Sequence, residues 1–336
     1  MPSFERQLKQ ADLQALLREV YRRESYEQVI DLSEISLDVL KDEVLGRLVS
    51  GLAVPLSIRG EDDHVNLGVL TGQQLEVWLA RHLKLPHVAP ERRDAYKEAL
   101  AQDERCVAVL FDTRRLTKVP GGYVSSTAFK AVYKLDVPFP FADEPVLPGA
   151  FTGFVGSERR LVTAKHCIDD PRTLPHLRAW FGFTAARAAG GVLTIPDEEL
   201  YDLDPEVFVQ GEGEEGDWSV LGLMRPVDGS RVPRLRREGE PPSGTRLHMI
   251  GHPRGLPRKV VGSGVVRASA GGSTFQAALD AYGGESGAPV FNATTHEIEG
   301  IHVRGPGDIS GPLLTLCPLG CDADVCVRAN AFADRL

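Results

Sequence analysis

The chain has 336 residues, 42% of them hydrophobic and 25% charged, the proportions of a globular protein with room for an ordinary domain plus a smaller one. A formal charge of −9 without any basic stripe excludes nucleic acid as the expected partner. No apolar run reaches membrane-spanning length, and Met1 to Gln10 lacks the apolar core of a secretory leader, so the expected location is cytoplasmic, with no membrane partner.

In chain order, the first part reads as helical. Leu13, Leu16, Leu17, Val20 and Tyr21 recur at helical spacing. A second helix is expected from Leu37 to Val49, with Ser36 as N-cap and Gly51 just past its end. Thr71 with Gln74 three residues on is a capping-box signature opening a third, which would bury Leu75, Trp78, Leu79 and Leu83. Pro90 can open a fourth, running through Tyr96 and Leu100. Residues 1–104 are therefore expected to form a helical regulatory or adaptor module with its own core. Its His64, His82 and His87 lack cysteine partners at metal-binding spacing and read as ordinary histidines.

From Cys106 the period changes. Val107 to Phe111 is strand-like, and Pro138 to Pro145 is an extended, proline-rich stretch, so residues 105–145 read as a strand plus a lead-in. Residues 146–336 then alternate short strands with Gly, Pro and Asp, as an all-β barrel requires, most clearly at Val260 to Val266 and Glu297 to Val303.

Three segments in this region carry chemistry. Leu161-Val162-Thr163-Ala164-Lys165-His166-Cys167 ends a β-branched run on a histidine. Gly216-Asp217-Trp218-Ser219-Val220-Leu221 brings an acid into an apolar strand, and Asp217 abuts that strand more directly than its rivals Glu214 and Glu215. Gly284-Glu285-Ser286-Gly287-Ala288-Pro289 presents a hydroxyl on a glycine-rich turn, where backbone amides can face a developing oxyanion. His, then Asp, then Ser is one chain order in which a nucleophile, its base and the orienting acid are built.

Together these segments resemble the signatures of trypsin-like (chymotrypsin-fold) serine proteases. Gly251-His252-Pro253-Arg254-Gly255 and Gly300-Ile301-His302 are similar to segments of the bacterial glutamyl-endopeptidase-like branch. The resemblance covers roughly residues 120 to 336. It implies an all-β double barrel behind the all-α module, and an endopeptidase acting on protein or peptide substrates without a cofactor. It assigns Ser286 as nucleophile, His166 as general base, Asp217 as its orienter, and the amides of Gly284 and Ser286 as the oxyanion hole.

For specificity the resemblance points two ways. Asp280, six residues before Ser286, stands where trypsin-like enzymes carry the acid that receives Arg or Lys. His302 matches the histidine that reads a substrate carboxylate in glutamyl endopeptidases, while Ala281 replaces their usual Thr or Ser. Asp280 and His302 can also pair with each other; cleavage after Arg or Lys is the favoured expectation, with cleavage after Glu or Asp, or an inactive binding scaffold, as alternatives. Digestive members are switched on by a new Ile-Val-Gly-Gly terminus, which this chain lacks, and Glu285 replaces the Asp that receives it. Control by the helical module, through a homotypic or adaptor partner in a bacterial defence or signalling system, is the expected substitute.

Secreted animal members pair the Cys after the catalytic His with an upstream one, but here that neighbourhood is Gly149-Ala150-Phe151, so Cys167 is expected to be a buried thiol. Cys317, Cys321 and Cys326, irregularly spaced and without a neighbouring His, read as thiols or one disulfide rather than a zinc site. Arg114, Arg115 and Lys118 read as surface bases, with self-cleavage between the domains as the alternative.

Overall fold

The structure is a computed structural model that describes residues 64–66, 77–79, 90–133, 141–213, 216–268, 272–305 and 323–336. The helices expected near 13–21 and 37–49 lie outside these residues, as do His82, His87, Cys317 and Cys321. The chain divides into two compact units, and nearly all described residues fall in the larger, Ser57–Val132 with Asp143–Leu336.

That unit opens with β1 (His64–Val65), continues through helix α1 (Pro90–Asp103), and then builds two barrels. Strands β2 (Val107–Asp112), β3 (Thr117–Val119), β4 (Gly122–Ser125), β5 (Phe151–Ser157), β6 (Arg160–Thr163), β7 (Leu177–Trp180), β8 (Leu193–Pro196), β9 (Tyr201–Gln210) and β10 (Ser219–Leu223) come first. Six of them close the first barrel in the order β10-β6-β5-β2-β7-β9, while β3-β4-β8 form a separate small sheet. The second barrel uses β11 (Arg246–Gly251), β12 (Lys259–Ala268), β13 (Thr274–Ala278), β14 (Pro289–Asn292), β15 (Ile298–Arg304) and β16 (Asp324–Arg328). Its order is β12-β11-β14-β15-β16-β13, closed by β12 against β13, with β1 added outside β12. Closure removes the free edges that a twisted antiparallel sheet would otherwise expose.

Strand β2 shows why the first barrel needs the residues ahead of position 146. Its run Val107-Ala108-Val109-Leu110-Phe111 is almost wholly buried. Ala108 and Leu110 point into the main core, whereas Val109 and Phe111 face a second cluster with Trp180, Phe183, Leu193 and Ile195. A strand covered on both faces reads as an unbroken apolar run. The run read from the sequence as a strand ahead of the barrel is thus a stave of the barrel itself, paired with β5 and β7.

The residues expected to form a private helical core are placed differently. Trp78, Leu79 and Leu100 belong to the same cluster as Leu161, Val220, Phe291 and Ile301, and Tyr96 packs against it. Helix α1 begins at Pro90, as the sequence suggests, but its apolar face is covered by the barrels. A single Leu or Phe buried in this way is worth about 1.5–3 kcal/mol. Phe332, beyond β16, packs 6.3 Å from both Phe154 and Trp218 between ring centroids, so the end of the chain is drawn across the first barrel. Among the described residues, no helix is long and apolar enough to cross a membrane.

The surface reading of the basic run fits the structure: Arg114 pairs with Asp112 at 2.6 Å and Lys118 with Asp197 at 2.7 Å.

Candidate active site

Register places the first two candidate residues together. In the β10–β6 pair Ser219 lies opposite Thr163, so the residue two before Ser219 and the turn just after Thr163 share one end of the barrel. Asp217 and His166 meet there. His166 Nδ1 lies 2.9 Å from Oδ2 and 3.1 Å from Oδ1 of Asp217, and the His166 backbone N donates to Oδ1 at 3.0 Å. The loop is braced by Lys165 Nζ, which donates to the Gly211 carbonyl at 2.8 Å.

An ionised Asp217 only accepts hydrogen bonds, so Nδ1 carries the proton and Nε2 is left basic. Burial alone would raise the Asp217 carboxyl, but the hydrogen bond from the His166 ring, its charge and its backbone N–H win, with Arg304 adding to them, and hold it below the usual range. Arg304 Nε is 3.7 Å from Asp217 Oδ2. The His166 imidazole is pushed up to about 10, first by its bond to Asp217 and then by the Cys167 sulfur, against the opposing effect of burial. Cys167 is half-buried rather than buried, because it lies where the two barrels meet: its Sγ sits 3.9 Å from the Ser286 carbonyl.

Ser286 arrives from the second barrel, on the turn between β13 and β14. Gly284 has φ +94 and Gly287 φ +86, conformations that side chains rarely tolerate. A Cβ on Gly287 would meet Thr152 O and Thr163 Oγ1 at 2.3 Å each. The turn therefore docks directly on β5 and β6, just ahead of His166. Thr152 N donates to the Ser286 carbonyl at 3.3 Å, Gly287 N donates to the His302 carbonyl at 2.8 Å, and His302 N donates to Ala288 O at 2.9 Å.

The orientation of the two expected oxyanion donors follows from peptide planarity. The Gly283 carbonyl accepts from Arg254 N at 2.6 Å, and the Glu285 carbonyl from Ala288 N at 2.8 Å. In a planar trans peptide the N–H points opposite to the carbonyl, so the Gly284 and Ser286 amides are both turned away from those protein partners. Among the described residues neither amide donates to a backbone carbonyl. Arg254 can serve this turn because it takes up a left-handed φ of +50 in the Gly251–Gly255 loop. That loop is pinned by His252, whose ring Nδ1 donates to Leu256 O at 3.0 Å and stacks on Phe183. Burial pushes the His252 imidazole down to about 3, so it is neutral.

Both candidate pocket residues are buried, Asp280 at 6% and His302 at 3% exposure. His302 Nε2 lies 3.2 Å from Asp324 Oδ1, so the carboxylate that engages this ring nitrogen is that of Asp324 rather than Asp280. The other oxygen of Asp324 accepts from Leu279 N at 2.9 Å, directly beside Asp280. Asp324 and Thr152 carried no signal in the sequence, because each acts through a partner distant along the chain. Arg304 alone had a clue, standing two residues after His302 on the same strand.

Residues 151–301 match the family model described as the trypsin-like peptidase domain. No curated protein matches the chain. Among solved structures, the active form of the Rv3671c protease from M. tuberculosis is similar at 12% identity and a TM-score of 0.41, over 71% of this chain and 82% of that one. The scabies mite inactivated protease paralogue S-I1 is 15% identical with a TM-score of 0.43, over 70% and 92% of the two chains. A Glu endopeptidase is 14% identical with a TM-score of 0.41, over 55% and 82%. Over residues 151–301, then, the chain is similar to the trypsin-like peptidase domain, on a fold of two closed β-barrels.

Proposed function

We propose that the chain is a serine endopeptidase that works through Ser286, His166 and Asp217. The observation that carries this reading is the Asp217 carboxylate gripping both the ring Nδ1 and the backbone N of His166, beside a docked Ser286 turn. In the first step Ser286 Oγ attacks the scissile carbonyl carbon while His166 Nε2 takes the hydroxyl proton. The carbonyl oxygen becomes an oxyanion that the Gly284 and Ser286 amides face, each donor being worth about 3 kcal/mol. Collapse breaks the C–N bond, His166 returns its proton to the leaving amine, and water releases the acyl group by the same two steps in reverse roles.

The buried charges favour cleavage after Arg or Lys. Asp280 is a buried carboxylate six residues before Ser286, and the His302 ring that would read a substrate carboxylate is already engaged through Nε2 by Asp324. A basic side chain would complement that charge, whereas a carboxylate would be repelled. The helical pattern ahead of the barrels further supports a regulatory or adaptor role for the N-terminal residues.

The test compares the full chain with Ser286→Ala on a peptide library, reading the residue before each cut. Cuts after Arg or Lys that vanish in the variant are the expected result. Cuts after Glu or Asp that vanish would keep the nucleophile and hand the pocket to His302. Absence of Ser286-dependent cutting would overturn the enzymatic reading.

A further inference from the structure

A second convergence of reactive side chains lies outside the His166–Ser286 region, where the end of helix α1, strand β11 and the β14–β15 turn meet. Asp103 closes the helix and is buried. Its Oδ2 lies 3.0 Å from His248 Nε2 and 2.5 Å from His296 Nδ1. A carboxylate offers two oxygens, yet both imidazoles converge on the same one. One carboxylate oxygen can accept two hydrogen bonds, and the same gathering of two imidazole nitrogens and a carboxylate oxygen at one point is the donor set a cation uses.

We propose that Asp103, His248 and His296 form a binding site for a first-row divalent cation, zinc above all. The three candidate ligand atoms all lie within 4.8 Å of one another. Metal–ligand bonds of about 2.0–2.2 Å arranged tetrahedrally hold donor atoms roughly 3.3–3.6 Å apart. The Asp103–His248 approach would open by a few tenths of an ångström and the Asp103–His296 approach by roughly 1 Å, a small turn of the partly exposed His296 side chain. Two imidazoles and one carboxylate suit zinc, and three protein ligands leave a fourth position for water.

The surroundings hold the donors in place. His248 is fully buried on β11 and stacks flat on Phe291, with ring centroids 5.0 Å apart and 5° between planes. His296 has φ +56, a left-handed conformation kept by a turn in which its N donates to Asn292 O at 2.9 Å. The Asn292 side chain caps the same turn by accepting from Thr294 N at 2.9 Å and Thr295 N at 3.1 Å. Backbone held in this way persists where its surroundings over-determine it. The His296 side chain is 20% exposed, which gives an ion a way in.

The ligands come from positions far apart in the chain, Asp103 and His296 being separated by 193 residues. A bound ion would cross-link helix α1 to the second barrel, and its binding energy would add to the stability of that junction. Strand β11 runs on into the loop whose Arg254 supports the nucleophile turn, so the clamp would steady the barrel that presents Ser286.

The experiment strips the full chain with a chelator and titrates it with Zn2+ against a chromophoric competitor. Co2+ serves as a spectroscopic probe and thermal unfolding as a second readout. The expected result is one equivalent of Zn2+ bound, an intense visible Co2+ band of the tetrahedral type, and a melting temperature that rises with Zn2+. His296→Asn removes one ligand while tolerating the left-handed backbone, and should weaken binding by roughly tenfold or more. A Cys317→Ser/Cys321→Ser variant should bind as the parent does. No stoichiometric binding by the parent would overturn the proposal. So would binding that survives in His296→Asn, or binding that disappears with the two cysteines.

Discussion

Thr152 and Gly284 are joined across the two barrels: Thr152 Oγ1 donates to the Gly284 carbonyl at 2.8 Å, while its own backbone N holds Ser286. The same hydroxyl accepts from His252 N at 3.0 Å, so one buried side chain ties the nucleophile turn to the Gly251–Gly255 loop beneath it. Thr152→Val keeps the shape and deletes both bonds. A loss of about 1–3 kcal/mol of stability is expected from leaving a buried N–H and a buried carbonyl unsatisfied. Peptidase activity should fall in kcat more than in KM, since the turn is loosened rather than the pocket; denaturant melts and steady-state kinetics check this.

Gly287→Ala should be more severe. Its Cβ would sit 2.3 Å from Thr152 O and 2.9 Å from Ala164 N, both backbone atoms, on a residue with φ +86. Neither barrel can yield cheaply, so the turn must undock. The expectation is a fall of about a hundredfold or more in kcat/KM, the scale of a misplacement of about 1 Å at the reacting atoms. Overall folding should survive, as judged by circular dichroism.

The His166–Asp217 pair sets the pH dependence. Because Asp217 raises the His166 imidazole from 6.5 to about 10, the free base becomes available only as pH rises, and the ascending limb of kcat/KM should lie well to the alkaline side of 6.5. Asp217→Asn should move that limb back toward 6.5 and lower the plateau by about 10⁴-fold, the ring having lost its orienting acid. Cys167→Ser should move it in the same direction by less, as the second of the two causes.

Stability follows the same pair with opposite limits. The His166 contribution is complete below 6.5 and is lost as pH rises toward about 10. The Asp217 contribution is complete above 3.8 and is lost as pH falls through its depressed value. The difference in melting temperature between the parent and Asp217→Asn should therefore be greatest between 3.8 and 6.5.

On the proposed preference for Arg and Lys, Asp280→Asn should cut kcat/KM for such substrates by at least about tenfold, roughly 1.4 kcal/mol. Asp324→Asn removes the carboxylate that holds His302 Nε2. On the proposed specificity, the ratio of cleavage after Glu to cleavage after Arg should rise in that variant, because the carboxylate that engages His302 Nε2 is gone. Matched peptide pairs measure both effects.

The buried ammonium of Lys259 is paired with Glu144 and also bonds Asn66 Oδ1 at 2.7 Å, pinning two distant segments to β12. Glu144→Gln takes the Glu144 carboxylate away from a buried ammonium, and a loss of stability is expected in urea melts. Replacing the pair together, as Glu144→Gln with Lys259→Met, should cost less than the single change.

What the sequence determined by itself is whatever local chemistry writes into consecutive residues. The Val- and Ile-rich segments bounded by turn residues specified barrel strands such as β12 and β15, and Pro90 opened a helix where its missing N–H costs nothing. The glycine-rich turn around Ser286 and the His166 and Asp217 segments were legible for the same reason. Tertiary structure decided the remainder, because each outcome depends on which distant surface arrives. Trp78, Leu79 and Leu100 had an apolar pattern that any core would satisfy, and the barrels supplied it. Asp324 rather than Asp280 faces His302 Nε2 because β16 lies beside β15 in the sheet. The meeting of Asp103, His248 and His296 has no trace in local spacing; only the packing of a helix end against β11 and a left-handed turn brings those three atoms to one point.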